Sequence, residues 1–203
     1  IAVLKALMNA HSAVIFGGDG YSAEWHKAAV EERGLLNLPT TADALPYLND
    51  DAVKQLFEST GVLSPVELES RYEVYTEIYI MSIAVEAKLV IEMAKTIIYP
   101  AAMRYLAELA DTDAAVGAMG ITLDRSTAKT IAESANAMVA KVAELSTAFA
   151  REDFGSTDEH MQFCAKTIRP LMDQVRVHAD ALEAELADEQ WPLPKYREML
   201  FIK

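Results

Sequence analysis

The sequence lacks the features that mark several specialised protein classes. Cys164 is the only cysteine among 203 residues, so no disulfide can form within the chain and a disulfide-stapled fold is excluded. The longest apolar run, Ile78 to Val85, includes Ser82 and is far shorter than the roughly 20 residues that a membrane-spanning helix needs. We recognise no signal peptide, and we therefore expect a cytoplasmic protein with no membrane partner.

Positive charge is also scarce. The chain has 18 Lys and Arg against 31 Asp and Glu, which gives a net charge of −13. Phosphate binding needs clustered basic side chains, so nucleic acid is a disfavoured partner, and anionic membranes are disfavoured for the same reason. Apolar residues, by contrast, make up 52% of the chain, which excludes intrinsic disorder and indicates one globular domain or two small ones.

Turn residues divide the chain near Gly61. Before that point the patterns are short: the end of a helix over Ala2–Ala10, a short strand or extended piece over Ala13–Phe16, and a helix that begins after Ser22. After it, long helical patterns dominate. The sequence thus predicts an N-terminal approach segment of short helices over 1–61 and a long-helix bundle over 62–203.

The first long helix has a strong start and two apolar stripes. Ser64-Pro65 followed by Glu67 combines an N-cap, a proline in the first turn and an acid near the positive end of the helix dipole. Pro100 is expected to kink or break this helix. Because both stripes follow the helical period, we predict that the helix is covered on two sides. The predicted seam is Leu68, Tyr72, Tyr75, Tyr79, Ser82, Glu86, Leu89 and Met93, and the second stripe is Val74, Ile78, Met81 and Val85.

Two further long helices each carry one stripe. The second begins near Asp124 or Ser126, and the third follows a polar break and is expected to bend at Pro170. Three long helices with short connections predict an all-α fold, an antiparallel bundle. We also expect the apolar tail Met199 to Ile202 to dock onto the bundle. The two stripes are Ile131, Ala135, Met138, Val142, Leu145 and Phe149, and then Met161, Cys164, Ile168, Leu171, Val175, His178 and Leu182.

One segment has the spacing of a phosphate-binding loop. Residues 18–23 fit the pattern G-x-G-x-x-A between a short extended run and a helix, where backbone amides could hold a phosphate. However, Asp19 would repel a phosphate, and no second strand follows to present a ribose-binding acid. A tight turn that caps the helix is therefore favoured, with a nucleotide or anion site as the alternative.

Groups that hold metals or perform catalysis are not clustered in the sequence. Glu86 lies on the predicted seam, where a structural ion pair is favoured over a catalytic role. Cys164 and His178 lie on the third helix's stripe, which favours an inert thiol and a core or interface imidazole. The four histidines are scattered and no Glu-x-x-His pair occurs, so no metal site is predicted: His11, His26, His160 and His178.

For three remaining clusters, a place in the core or on the surface is favoured over a role in catalysis or ligand binding. The tyrosines are expected in the bundle core with their hydroxyls at its edge, and the charged groups on solvated faces. The sequence therefore predicts no catalytic, cofactor-binding or metal-binding residue. The clusters are Tyr72, Tyr75 and Tyr79; Arg71, Glu73 and Glu77; and the five acids between Val177 and Gln190.

A series of short motifs is individually unspecific but distinctive in its order. The motifs are Gly18-Asp19-Gly20-Tyr21-Ser22 with Glu24-Trp25-His26, Arg33-Gly34-Leu35-Leu36-Asn37-Leu38, Asp43-Ala44-Leu45-Pro46, Arg71-Tyr72-Glu73, Glu86-Ala87-Lys88, Met93-Ala94-Lys95-Thr96 with Pro100-Ala101, and Trp191-Pro192 with Tyr196-Arg197-Glu198. In this order they resemble the C-terminal region of type III glutamine synthetases, the large bacterial form of that enzyme. The likeness extends over essentially the whole chain and is strongest from Val14 to Arg104.

The resemblance implies a parent enzyme that joins ammonia to glutamate with ATP and Mg²⁺, through a γ-glutamyl phosphate, in a ring-shaped homo-oligomer. It also implies that the metal-, glutamate- and nucleotide-binding residues lie in an upstream catalytic domain, whose motifs do not occur here. A chain that begins with Ile1 agrees with a C-terminal fragment. That fragment is expected to be catalytically silent, to hold no cofactor, and to pack on its own catalytic domain and neighbouring subunits. The alternative is a free-standing helical module that dimerises or binds a partner protein.

Overall fold

The computed structural model describes residues 1–12 and 17–200, with Tyr196 and Arg197 described by their backbone alone. These residues are mainly helical, which confirms the predicted all-α class. The chain forms two compact units, Ile1–Ala44 and Leu45–Lys203. The division falls earlier than Gly61, because the 3₁₀ turn Leu45–Asn49 packs against the long helix of the second unit.

Three helices make up the described part of the first unit: α1 (Ala2–Ala10), α2 (Ala23–Glu31) and α3 (Thr41–Ala44). α1 has the predicted bounds, and every one of its residues is exposed. α2 begins after Ser22 as predicted, and the chain leaves it through Gly34, whose φ of +65° suits glycine. The predicted extended piece Ala13–Phe16 lies outside the described residues.

The second unit begins with the 3₁₀ turn Leu45–Asn49 and a short helix, α4 (Asp51–Ser59), and continues with the longest helical segment of the chain. This segment joins α5 (Pro65–Met93), a π-helical turn π1 (Ala94–Ile98) and α6 (Tyr99–Gly117) over 53 residues. Its start is the predicted capping box: Ser64 Oγ accepts from Glu67 N–H, and Glu67 Oε2 accepts from Ser64 N–H at 2.8 Å. The backbone hydrogen bond from Ser64 lowers the pKa of the Glu67 carboxyl.

The remaining helices follow two short connections. α7 (Ser126–Phe149) is followed by a 29-residue segment that joins α8 (Thr157–Phe163), a second π-helical turn π2 (Cys164–Ile168) and α9 (Arg169–Glu185). The short helix α10 (Tyr196–Leu200) comes last among the described residues. α7 and α9 make the most extensive helix–helix contact, which is the core of the bundle.

Neither proline breaks its helix, so of the kink or break expected at Pro100 the break does not occur. Each proline follows a π-helical turn, in which Tyr99 N–H bonds to the Ala94 carbonyl and Arg169 N–H to the Cys164 carbonyl. The wider turn shifts the hydrogen-bond register by one residue, so the proline ring avoids the carbonyl four residues before it. The same arrangement, a π-helical turn directly followed by a residue and then a proline, thus occurs twice, at π1 and at π2. The sequence analysis did not predict it.

The core confirms the stripes predicted for the second and third helices. Phe149, Leu171 and His178 are half-buried, and the other predicted positions are buried. These buried side chains are Ile131, Ala135, Met138, Val142 and Leu145 from α7, and Met161, Cys164, Ile168, Val175 and Leu182 from the 29-residue segment.

The seam predicted for α5 is wrong in part. Leu68 and Tyr72 are buried, but Tyr75, Ser82, Glu86 and Leu89 are exposed. Two apolar stripes share this helix, and periodicity alone does not decide which of them faces the core. The buried face continues from Tyr72 through Thr76, Ile83, Ala87, Ala94 and Ile98.

The residues after α9 pack against the core in their first part and are exposed further on. Trp191 is buried and Leu193 packs against the core. Met199 and Leu200 are exposed, and residues 201 and 202 lie outside the described part of the chain. Among the described helices, none is long and apolar enough to cross a membrane.

Candidate functional site

The loop at residues 18–23 folds as a helix-capping turn. Asp19 Oδ1 accepts a hydrogen bond from Tyr21 N–H at 2.9 Å, and Ser22 Oγ accepts one from Trp25 N–H at 3.1 Å. These side chains use two of the amides that a phosphate would need. The geometry is that of the turn favoured from the sequence, with the Asp19 carboxylate at its centre.

The four histidines do not lie together, and the described residues contain no group of three His, Cys, Asp or Glu side chains that could hold a metal ion. His11 and His26 are exposed and His178 is half-buried. His160 stacks on Phe154 with ring centroids 4.1 Å apart. Burial, together with the nearby Arg151 charge, lowers the pKa of His160, so its ring is neutral near pH 7.

Arg151 organises a cluster that the sequence analysis missed. Its guanidinium lies 4.4 Å from the Phe154 ring centroid and 5.0 Å from that of Phe163, and it pairs with Glu159 at 2.7 Å. The backbone N–H of Gly155 and the Arg151 charge lower the pKa of Glu159. Because the cation is already paired and covered by rings, the cluster fixes the connection between α7 and α8 and leaves no free group for chemistry.

A second unforeseen contact joins the two long helical segments. The Tyr72 hydroxyl of α5 donates a hydrogen bond to the Asp158 carboxylate at the start of α8. Burial, this hydrogen bond and the Asp158 charge raise the pKa of Tyr72 to about 12. The three tyrosines do not form a platform, because Tyr75 is exposed and Tyr79 is half-buried.

The other candidate residues are either exposed or buried and do not form a site together. Glu86 is exposed, not buried in a seam, so the expected buried ion pair is absent there. Cys164 is buried and burial raises the pKa of its thiol, which fits the predicted inert role. Arg71, Glu73 and Glu77 are exposed as predicted.

The most prominent unexplained feature is the second stripe of α5. Its members are between 48 and 60% exposed although all are large and apolar. They lie on the face opposite the buried residues Tyr72, Ile83 and Ala87. An exposed apolar row of this kind is typical of surfaces that contact another protein. We define the apolar stripe as Val74, Ile78, Met81, Val85 and Leu89.

The sequence predicted four of the five members of the apolar stripe as a second stripe, and it placed the fifth, Leu89, on the predicted seam. The prediction that α5 is covered on two sides is wrong for the described residues, because the side chains of the apolar stripe are exposed. The structure covers one side only, because α7, α8 and α9 all pack against the same face of the long segment.

Comparison with known proteins places these observations in a family. The family described as the glutamine synthetase C-terminal domain matches residues 1–116. The type-3 glutamine synthetase of Dictyostelium discoideum is 33% identical over 99% of this chain, which corresponds to 28% of the relative. The glutamine synthetase of Bacteroides fragilis is 30% identical and that of Butyrivibrio fibrisolvens 31%, each with 29% of the relative covered. The chain thus spans less than a third of the length of these relatives.

Proposed function

Because the chain belongs to the glutamine synthetase C-terminal domain family, we propose that it is the C-terminal part of a type III glutamine synthetase. The matched share of each relative, 28 to 29%, supports this proposal, because it leaves ample length for a separate catalytic region. The parent enzyme would join ammonia to glutamate with ATP and Mg²⁺, in the cytoplasm. The present domain would contribute no residue to that chemistry.

The proposed role of the domain is assembly. The apolar stripe carries this proposal, since five large apolar side chains in a row would be costly to leave in water. From Val74 to Leu89 the stripe follows α5 for about 22 Å, enough for a helix or a sheet face to pack along it. Its partner in this account is the catalytic domain or a neighbouring subunit of the same homo-oligomer.

A matched pair of substitutions tests the assembly role. Val85, in the stripe, is 60% exposed, and Val177, on α9, is 64% exposed and lies outside it. If the partner is a neighbouring subunit, Val85→Glu should lower the molar mass of the parent enzyme measured by light scattering, because it places a charge in a buried interface. If the partner is the catalytic domain of the same chain, the molar mass should stay the same and the thermal stability of the parent enzyme should fall. Val177→Glu should leave the mass unchanged. In the 203-residue chain both variants should change the free energy of unfolding by less than about 0.5 kcal/mol, because both sites are on the surface.

The absence of chemistry in the domain is tested separately. The purified chain is incubated with ATP, Mg²⁺, glutamate and ammonia, and phosphate release is measured against a blank. We expect no release. Release above the blank would contradict the non-catalytic role but not the assembly role.

A further inference from the structure

An apolar groove lies between the long segment, α9 and the tail. It has a volume of about 380 Å³, which is within the range of small-ligand sites. The long segment contributes Val90 and Ile98 to its lining, α9 contributes Met172 and Val175, and the tail contributes Trp191 and Leu193. Every one of these residues lies in the second compact unit.

Two acids and one cation border this groove. Arg176 Nε lies 3.4 Å from Asp180 Oδ2, so this cation and this acid neutralise each other. Glu183, one turn further along α9, is half-buried in the groove lining and forms no ion pair or hydrogen bond with the described residues. The apolar groove therefore carries one uncompensated carboxylate.

We propose that the groove binds a small amphipathic amine, with an apolar body against Trp191 and Val175 and one ammonium group on Glu183. The apolar walls exclude a fully polar ligand, because it would lose its hydration there. The uncompensated carboxylate selects a cation over an anion, because a carboxylate ligand would face Glu183 across a partly dry space. This inference stands on the groove alone and does not depend on the proposed parent enzyme.

Three probes of equal length and different charge test the proposal: hexylamine, 1-hexanol and hexanoate. Trp191 lines the groove, and Trp25→Phe makes Trp191 the only tryptophan, so its fluorescence reports binding to the full chain. We expect hexylamine to bind most tightly and hexanoate most weakly. Glu183→Gln should weaken hexylamine binding about tenfold, the loss typical of one charge-assisted hydrogen bond, and leave 1-hexanol binding unchanged.

Two further variants control the result. Glu189→Gln removes an exposed acid that does not line the groove and should leave all three affinities unchanged. Ala179→Leu narrows the groove and should weaken all three probes. Thermal unfolding of each variant without probe establishes that it is folded.

Several outcomes would overturn the proposal. Equal binding of the three probes would make the groove a non-selective apolar surface. Hexylamine binding that appears only after removal of residues 201–203 would make the chain's own end the occupant. A molar mass that doubles with concentration, and falls when hexylamine is added, would make the occupant a second copy of the chain.

Discussion

At the scale of single residues, the contact between Tyr72 and Asp158 gives a measurable alkaline signature. The pKa of Tyr72 is raised from 10 to about 12, so its neutral form is favoured in the folded chain. The resulting stability is complete below pH 10 and is lost as the pH rises through 12. We expect Tyr72→Phe to remove this pH dependence and to cost about 1–2 kcal/mol at pH 7, because Asp158 loses its donor.

Tyr75→Phe is the matched control, since Tyr75 lies one turn from Tyr72 and is exposed. It should change the free energy of unfolding by less than about 0.5 kcal/mol and leave the alkaline slope intact. Urea unfolding between pH 7 and 11 measures both variants. Identical alkaline slopes in wild type and Tyr72→Phe would contradict the assignment.

His160 should make the free energy of unfolding depend on pH in the acid range. Its pKa is lowered by burial and by the Arg151 charge, so the unfolded chain takes up the proton more readily. The contribution of His160 is therefore present above its ordinary pKa near 6.5 and is lost as the pH falls below it. His160→Phe preserves stacking on Phe154 and should give a shallower loss of stability between pH 6.5 and 5. A loss as steep as in wild type would count against this role.

The limits of sequence reasoning are clearest at this scale. The buried stripe of α7 was predicted residue by residue, because that helix carries a single apolar face. Tyr72 and Asp158 are 86 positions apart, and no local pattern predicts such a pair. The Arg151 cluster could not be predicted from the sequence either, since its rings and charges come together only after α7 and α8 have formed.

At the scale of helices, the capping box of α5 should make a measurable contribution. Ser64→Ala removes the acceptor for Glu67 N–H, and we expect it to destabilise the chain by about 1 kcal/mol. Ser70→Ala, within the same helix at an exposed position, should be neutral or slightly stabilising, because alanine has the higher helix propensity. Thermal unfolding compares the two. A smaller loss for Ser64→Ala than for Ser70→Ala would contradict the importance of the cap.

Helix boundaries were predicted well where a cap or a glycine determines them, whereas the break considered at Pro100 does not occur. Ser64 and Ser22 cap the predicted helices. Pro100 and Pro170 were expected to interrupt or bend theirs, because the usual α-helical register clashes with the proline ring. The π-helical turns remove that clash, and the buried residues Ala94 and Cys164 at their starts keep both turns in the core.

At the scale of the whole molecule, the exposed apolar stripe links the fold to the proposed function. The fold class followed from the long helical patterns, and the family from the order of short motifs. The stripe could be read as apolar from the sequence. Its exposure depends on which face of α5 the bundle covers, and that choice is made by the packing of α7, α8 and α9.

The central claim is that the apolar stripe is covered in the parent enzyme, and methionine oxidation tests it most directly. Met81 in the stripe is 58% exposed, Met119 outside it is 69% exposed, and Met138 is fully buried. In the 203-residue chain, hydrogen peroxide should oxidise Met81 and Met119 at similar rates and Met138 far more slowly. In the full-length enzyme we predict that Met81 is oxidised as slowly as Met138. If Met81 is oxidised equally fast in the chain and in the full-length enzyme, the stripe is not an interface and the account is wrong.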